Sequence, residues 1–376
     1  MKTVLLTGGT GTIGSALVPR LLADSDSTLI LLVRAHDDAA LRNRLAAMLP
    51  HWGLASGAQL ESRLHLVRGD ISLPGFGLQP ATMADLARQI THIVHCAASV
   101  KLNMPMAQAL ATAVVPTRTL LALSRLAATA GTLQKVDVVS TVGVWGRSPG
   151  CMPERRLPEV MHFHNTYEEA KAEAERVIWA DGDGLPITVH RPSMVVGDTQ
   201  TGRVTNFQVF YHLCEFLSGT RTIGVMPNLG QTRLDTVPVD WVADAIAWSS
   251  ATPETIGRIF HLCSGPDEAI GLVALQQTVR QTWQAAGRRV PRLLTVDRQW
   301  LERLIPVFGL LAGARSRRAL RGLSPVLAYL AEDQSFANEQ TAQQLAKAGL
   351  PVPRVQDYLA TVLDYYLQRR AVEAQT

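Results

Sequence analysis

The sequence predicts an α/β fold: a doubly wound parallel sheet followed by a smaller, mostly helical C-terminal region. Three observations predict it. Short apolar runs rich in β-branched residues alternate with helical stretches over the first two-thirds of the 376 residues, which is the pattern of strand–helix–strand units. The first run ends in a glycine-rich turn, Thr7-Gly8-Gly9-Thr10-Gly11-Thr12-Ile13-Gly14, that leads straight into helical spacing. Hydrophobic residues make up 47% of the chain, enough to fill a large core.

Val4–Leu6, Leu29–Val33, Leu64–Val67, Ile90–His95, Val136–Val139 and Ile187–Arg191 read as strands, with a late one at Ile259–Leu262. Ile13–Leu22, Ala39–Met48, Met83–Arg88, Met106–Ala127 and Tyr167–Trp179 read as helices between them. After Pro192 the pattern loosens. Residues 197–238 mix turns with a helix at Asn206–Leu217, Asp240–Ser249 is helical, and the chain is mostly helical from Ala274. The division is a dinucleotide-binding domain over 1–265, with substrate-binding insertions from about 197–238, and a helical substrate or lid region over 266–376.

The net charge is only +4, and no basic stripe with interleaved aromatics is present, which excludes a nucleic-acid partner. Cys96, Cys151, Cys214 and Cys263 show neither CxxC nor zinc-ligand spacing, so they read as reduced thiols in a cytoplasmic protein, with no metal expected. The chain enters a strand at once, without a signal-peptide layout, and no apolar run approaches a membrane span of roughly 18–20 residues.

The glycine turn carries the first chemistry. A strand, a glycine turn and a helix place backbone N–H groups at a helix N-terminus, where a pyrophosphate binds well. Gly8, Gly11 and Gly14 let backbone and phosphate approach closely. Arg34 ends the second strand, where an acidic residue binds the 2′-OH of NAD and an arginine accommodates the 2′-phosphate of NADP. Arg42 and Arg44 follow on the next helix and either close on that phosphate or form a solvated basic face. This points to NADPH. Asp70, after the third strand, is either an acceptor for the adenine amino group or a turn former. Cys96, Ala97 and Ala98 end the fourth strand with small side chains, against which the cofactor can lie. Pro192 and Ser193 close the sixth strand, where a proline shapes a nicotinamide pocket.

The second chemical set is Ser140-Thr141 at the end of the fifth strand, and Tyr167 with Lys171 on the following helix. Residues four apart share a helical face. A free tyrosine, with a pKa near 10, is a poor acid–base group at neutral pH, and a nearby ammonium brings it toward the working range. A Ser or Thr hydroxyl beside it can donate to a carbonyl oxygen. His162 and His164 read as loop residues near the substrate mouth. No GxSxG elbow is present, which argues against a serine hydrolase.

Together TGGTGTIG, Ser140-Thr141, Tyr167-Glu168-Glu169-Ala170-Lys171 and Arg191-Pro192 resemble the extended short-chain dehydrogenase/reductase superfamily. Gly69-Asp70-Ile71-Ser72-Leu73-Pro74, His95-Cys96-Ala97-Ala98-Ser99-Val100 and Val237-Pro238-Val239-Asp240 resemble its thioester-reductase and fatty acyl-CoA reductase (male sterility) branch, over residues 1–265. The resemblance implies a Rossmann-type fold and an NADPH-dependent reductase of acyl thioesters, on coenzyme A or on an acyl carrier protein. It implies Tyr167 as general acid, Lys171 on the nicotinamide ribose, and Thr141 on the carbonyl oxygen. It implies Gly8, Gly11, Gly14, Arg34, Arg44, Asp70 and Ile71 as NADPH ligands. Two departures bear on proton route and substrate class: the asparagine usual in the AAxVN segment is Lys101, and that of an NVxGT pattern is Ala113, with Pro116 in place of its glycine.

Two other readings share some of these residues. A ketone or hydroxyl reductase, or an epimerase, would use the same Thr/Tyr/Lys set, though a sugar-nucleotide enzyme would want an acidic residue at Arg34. A non-catalytic NADP sensor would not need Tyr167 and Lys171. In the C-terminal region, Leu301, Leu304, Ile305, Phe308 and Leu311 recur at helical spacing before Arg315, Arg317, Arg318 and Arg321. This 299–330 stretch lines an acyl tunnel, touches a membrane surface, meets an acidic carrier protein, or is a core helix with a solvated basic end.

Overall fold

The computed structural model describes residues 2–296 and 334–373. The 299–330 stretch therefore lies outside the described residues.

Seven parallel strands form the central sheet: β1 (Lys2–Thr7), β2 (Ser27–Val33), β3 (Leu64–Arg68), β4 (His92–His95), β5 (Lys135–Val139), β6 (Ile187–Pro192) and β7 (Ile259–Leu262). Their order is β3-β2-β1-β4-β5-β6-β7. The order reverses between β1 and β4, and the ends of these two strands frame the nucleotide crevice. The helices are α1 (Thr12–Leu21), α2 (Asp38–Trp52), α3 (Pro80–Gln89), α4 (Met106–Thr129), α5 (Thr166–Asp181), α6 (Val209–Leu217), α7 (Val239–Ser250), α8 (Leu272–Ala285), α9 (Glu339–Lys347) and α10 (Val355–Glu373).

The strands are apolar throughout because both faces are covered. Val4 and Leu6 point to one side with Leu29 and Leu31, where Leu17 of α1 and Trp241, Val242 and Ile246 of α7 meet them. Leu5, Ile30 and Leu32 point to the other, against Leu86 of α3, Leu120 and Leu123 of α4, and Val177 and Ile178 of α5.

A separate hydrophobic cluster joins α6, α8 and α10 through Phe210, Tyr211, Leu213, Leu275, Trp283, Tyr358 and Val362. It draws on the 197–238 insertion as well as on residues after 266. The segment after residue 333 also returns to the sheet side: Gln334–Phe336 pairs in parallel with Gly150–Met152.

One sequence expectation needs correction. α4 is 24 residues long and apolar enough, by length and composition, to cross a membrane. Arg118 and Arg125 interrupt its apolar residues. In the fold its inner face is buried, with Ala109 and Ala113 against Ala170 and Ala174 of α5, so its length serves the core contact between the two helices.

Candidate active site

The turn after β1 is closed by Gly11 N donating to Gly8 O at 2.8 Å, and α1 begins with Ser15 N donating to Gly11 O at 2.9 Å. Gly8 has a positive φ of 79°, and a Cβ there would stand 2.7 Å from Ala97 N. A Cβ on Gly14 would stand 2.1 Å from Gly8 O. Thus Gly8 lets β1 and the Cys96-Ala97-Ala98 segment close on each other, and Gly14 lets α1 start against the turn. The buried Thr7 hydroxyl contacts His95 Nδ1 at 2.8 Å and accepts from Ala97 N at 3.4 Å. Gly9 packs toward Leu31, and Ile13 is half-buried against the α1 side of the sheet. Among the described residues, this cradle and the α1 N-terminus form a place that fits a pyrophosphate.

Around the adenosine end, Arg44 Nη1 donates to Arg34 O at 3.0 Å and Nη2 to Thr10 Oγ1 at 3.2 Å. Arg44 therefore links the glycine turn to the end of β2, while Arg42 is exposed. Arg34 is 74% exposed, with Nη1 at 4.0 Å from Asp70 Oδ2. Asp70 Oδ1 accepts from Ser72 N and Ser72 Oγ at 2.9 and 2.7 Å. It is thus a turn former whose second oxygen faces Arg34. The neighbouring Ile71 is half-buried. Thr12 Oγ1 accepts from Gln208 Nε2 at 3.3 Å, tying α1 to the element before α6.

At the other end of the crevice, Asn165 caps α5, its side chain accepting from Glu168 N at 3.0 Å. This starts the helix so that Tyr167 and Lys171 lie one turn apart on a common face. Thr141 follows β5 and caps a short turn, accepting from Gly143 N at 3.1 Å, and its hydroxyl faces the Tyr167 phenol. Lys171 is buried, with Nζ donating to Val139 O at 2.8 Å. The structure separates the two hydroxyls that are adjacent in sequence. Ser140 turns inward and donates to Glu175 Oε2 at 2.9 Å, leaving Thr141 on the Tyr167 side. Pro192 is buried beside Leu262, and Ser193 N donates to Leu262 O at 3.0 Å.

The charge balance differs from the sequence expectation. Burial, and then the neighbouring Glu168 carboxylate, push the Tyr167 phenol up to about 12, with the Thr141 hydrogen bond opposing. Burial lowers Lys171 to about 8, opposed by Glu175 and then Cys96. The Lys171 ammonium is engaged by a backbone carbonyl, and it does not pull Tyr167 toward neutrality. The phenol stays protonated, as a proton donor must. His164 lies in the loop before α5, as its sequence context predicts, but its side chain is turned inward. Its side chain is 3% exposed, with Nδ1 at 3.0 Å from the buried Glu168 Oε2. His162 is exposed, and its carbonyl accepts from Arg147 N at 2.8 Å.

Two groups escaped sequence reasoning. Glu175, one turn beyond Lys171, forms a two-point ion pair with fully buried Arg191, Nε to Oε2 at 3.1 Å and Nη2 to Oε1. Arg191 Nη1 also reaches Arg155 O and His261 Nε2 at 3.0 and 3.1 Å. The signal was an acidic residue on the Lys171 face, matched by an arginine in a strand. The second is Glu154, which caps α9 through Gln340 N at 2.9 Å and Thr341 N at 3.2 Å; no local pattern announces that contact. Through Glu154 and through His261 Nδ1 at 2.8 Å from Ala337 O, the Arg191 network reaches the C-terminal segment.

Residues 6–246 match the model of the male sterility protein family, a nicotinamide-dinucleotide-binding domain. The chain belongs to that family. This male sterility domain is an extended short-chain dehydrogenase/reductase, an oxidoreductase type that uses a nicotinamide cofactor. Among curated proteins it is 28% identical over 341 residues to a non-canonical nonribosomal peptide synthetase, FrzA, of Cladobotryum, covering 88% of this chain and 31% of that protein. The male sterility domain thus spans a third or less of the length of the curated relatives it matches. Among solved structures it matches the terminal R domain of the myxalamid PKS-NRPS pathway with TM-score 0.81 and 26% identity, over 100% of this chain and 91% of that one. A thiolation-reductase di-domain from an archaeal non-ribosomal peptide synthetase matches with TM-score 0.77 and 20% identity, over 98% and 76% of the chains, a likeness of fold.

Proposed function

We propose that this chain is an NADPH-dependent reductase of acyl thioesters, acting on an acyl group held by a carrier-protein or coenzyme A thiol and releasing the aldehyde. The observation that carries this reading is the Thr141–Tyr167–Lys171 arrangement at one end of a dinucleotide crevice, in a chain that aligns along its whole length with a terminal R domain. The thiolation domain beside the archaeal reductase supports a carrier protein as partner.

When bound in this crevice, a nicotinamide would supply hydride for the thioester carbonyl carbon. Thr141 and the protonated Tyr167 hold the carbonyl oxygen as it gains negative charge. Tyr167 then gives that oxygen its proton, forming a hemithioacetal that collapses to thiol and aldehyde. Lys171, anchored by Val139 O, has two further N–H donors for the nicotinamide ribose.

Arg34 and Arg44 support NADPH over NADH, because two guanidinium groups flank the end of β2 where the 2′-phosphate would sit. Arg34→Asp should lower NADPH affinity roughly tenfold or more, at the energy of one charge-assisted hydrogen bond, and leave NADH affinity nearly unchanged. Equal losses in a fluorescence titration would remove Arg34 from that role.

The function is tested by following NADPH oxidation and free thiol together, with acyl-CoA thioesters, aldehydes and ketones. Thiol release coupled to oxidation supports thioester reduction. Turnover of ketones or aldehydes with no thiol from any thioester would give the carbonyl-reductase reading instead. NADPH consumed per thiol separates release as aldehyde from further reduction to alcohol.

A further inference from the structure

A small, open cleft beside Tyr167 lies between the 98–104 loop, α4 and α5. It brings together two of the positions at which this sequence departs from the pattern it resembles, Lys101 and Ala113. Much of its wall is methyl groups, from Ala98, Ala109, Ala113 and Ala170.

Most polar groups on that wall are already engaged. Ser99 Oγ donates to Met104 Sδ at 3.3 Å, and Thr112 Oγ1 to Ala109 O at 3.0 Å. Lys171 holds Val139 O, and Tyr167 faces Thr141. Lys101 differs. It is exposed, and among the described residues no hydrogen bond or ion pair engages it. Its backbone is nevertheless fixed relative to the reacting group: Thr166 Oγ1 donates to Leu102 O at 3.2 Å and to Met104 O at 2.8 Å. The loop carrying Lys101 is thereby tied to the residue preceding Tyr167.

A lysine has three donors and no acceptor, and acts as a compact positive charge. An acyl group carrying a carboxylate within reach of this ammonium would gain a charge-assisted hydrogen bond that a purely alkyl chain cannot make. We propose that Lys101 is an anion subsite for the acyl group, favouring thioesters that carry a carboxylate within a lysine's reach of the thioester carbon. The assignment rests on the thioester reading above.

The test compares kcat/KM for chain-length-matched pairs, succinyl- against butanoyl-CoA and adipyl- against hexanoyl-CoA, in wild type, Lys101→Met and Lys101→Glu. Wild type should favour the carboxylate member on the order of tenfold, the worth of a hydrogen bond to a charged group. Lys101→Met should bring the ratio near one, and Lys101→Glu should reverse it. Lys101 is exposed, so these variants should fold, and their thermal midpoints serve as the check. Equal kcat/KM within wild-type pairs would overturn the subsite while leaving thioester reduction intact. An equal loss for both members of each pair in Lys101→Met would place the lysine against a phosphate of the thiol arm, and would also overturn it. No thiol from any thioester would overturn both readings.

Discussion

Tyr167→Phe should reduce kcat for thioester reduction by about 10²–10⁴, the usual worth of a positioned general acid. NADPH affinity should stay close to wild type, because the glycine cradle and Arg34 lie at the far end of the crevice. The phenyl ring keeps the contact of α5 with its surroundings and removes only the hydroxyl that meets Thr141. Stopped-flow or steady-state rates, with a cofactor titration on the same sample, check both parts. A kcat within threefold of wild type would remove Tyr167 from the chemical step and revive the sensor reading. The pH profile adds a sign. With the phenol pushed up to about 12, Tyr167 stays protonated across the working range. Lys171, lowered to about 8 by burial, loses its proton first as pH rises. The rate should therefore fall as pH passes through about 8 from below, and Lys171→Met should lose that limb along with most of the activity.

Arg191→Met should destabilise the fold by about 3–5 kcal/mol, because it leaves a buried carboxylate without its cation. Glu175 is 1% exposed and Arg191 fully buried. The Glu175 carboxylate lies too deep for bulk water to replace the lost guanidinium. Arg191→Met combined with Glu175→Gln should recover part of the loss, since an uncharged amide costs less to leave in the interior. Thermal midpoints of the two single variants and the double variant test this. An unchanged midpoint in Arg191→Met would mean the pair contributes little. Because Glu175 also accepts from Ser140, the residue before Thr141, the surviving folded enzyme should show a lower kcat with little change in cofactor affinity.

How much of the fold and site was legible in the chain follows from the range of the forces involved. The strands showed because both faces of a parallel sheet are buried, so Val4-Leu5-Leu6 and Leu29–Val33 carry no polar alternation. The cradle showed because Gly8 and Gly14 meet steric demands that a glycine-rich turn makes visible locally. Tyr167 and Lys171 showed because helical periodicity alone puts them on one face. Asp70 stayed ambiguous because its turn and its charge partner use different oxygens. The inward turn of the His164 side chain was not legible because its partner is the Glu168 carboxylate, one turn later but facing inward.

By itself, then, the sequence determined the doubly wound sheet, the dinucleotide cradle and the helix bearing Tyr167 and Lys171, all of which depend on local spacing and on which faces must leave water. Tertiary structure alone decided which of Ser140 and Thr141 meets Tyr167, which carbonyl holds the Lys171 ammonium, and that Lys101 and Ala113 line one cleft. It also joined Glu154 and His261 to a segment far downstream in the chain. Those outcomes depend on burial and on contacts between distant segments. Both set the cost of leaving a charge or hydroxyl unpaired, and neither is written in the spacing of residues along the chain.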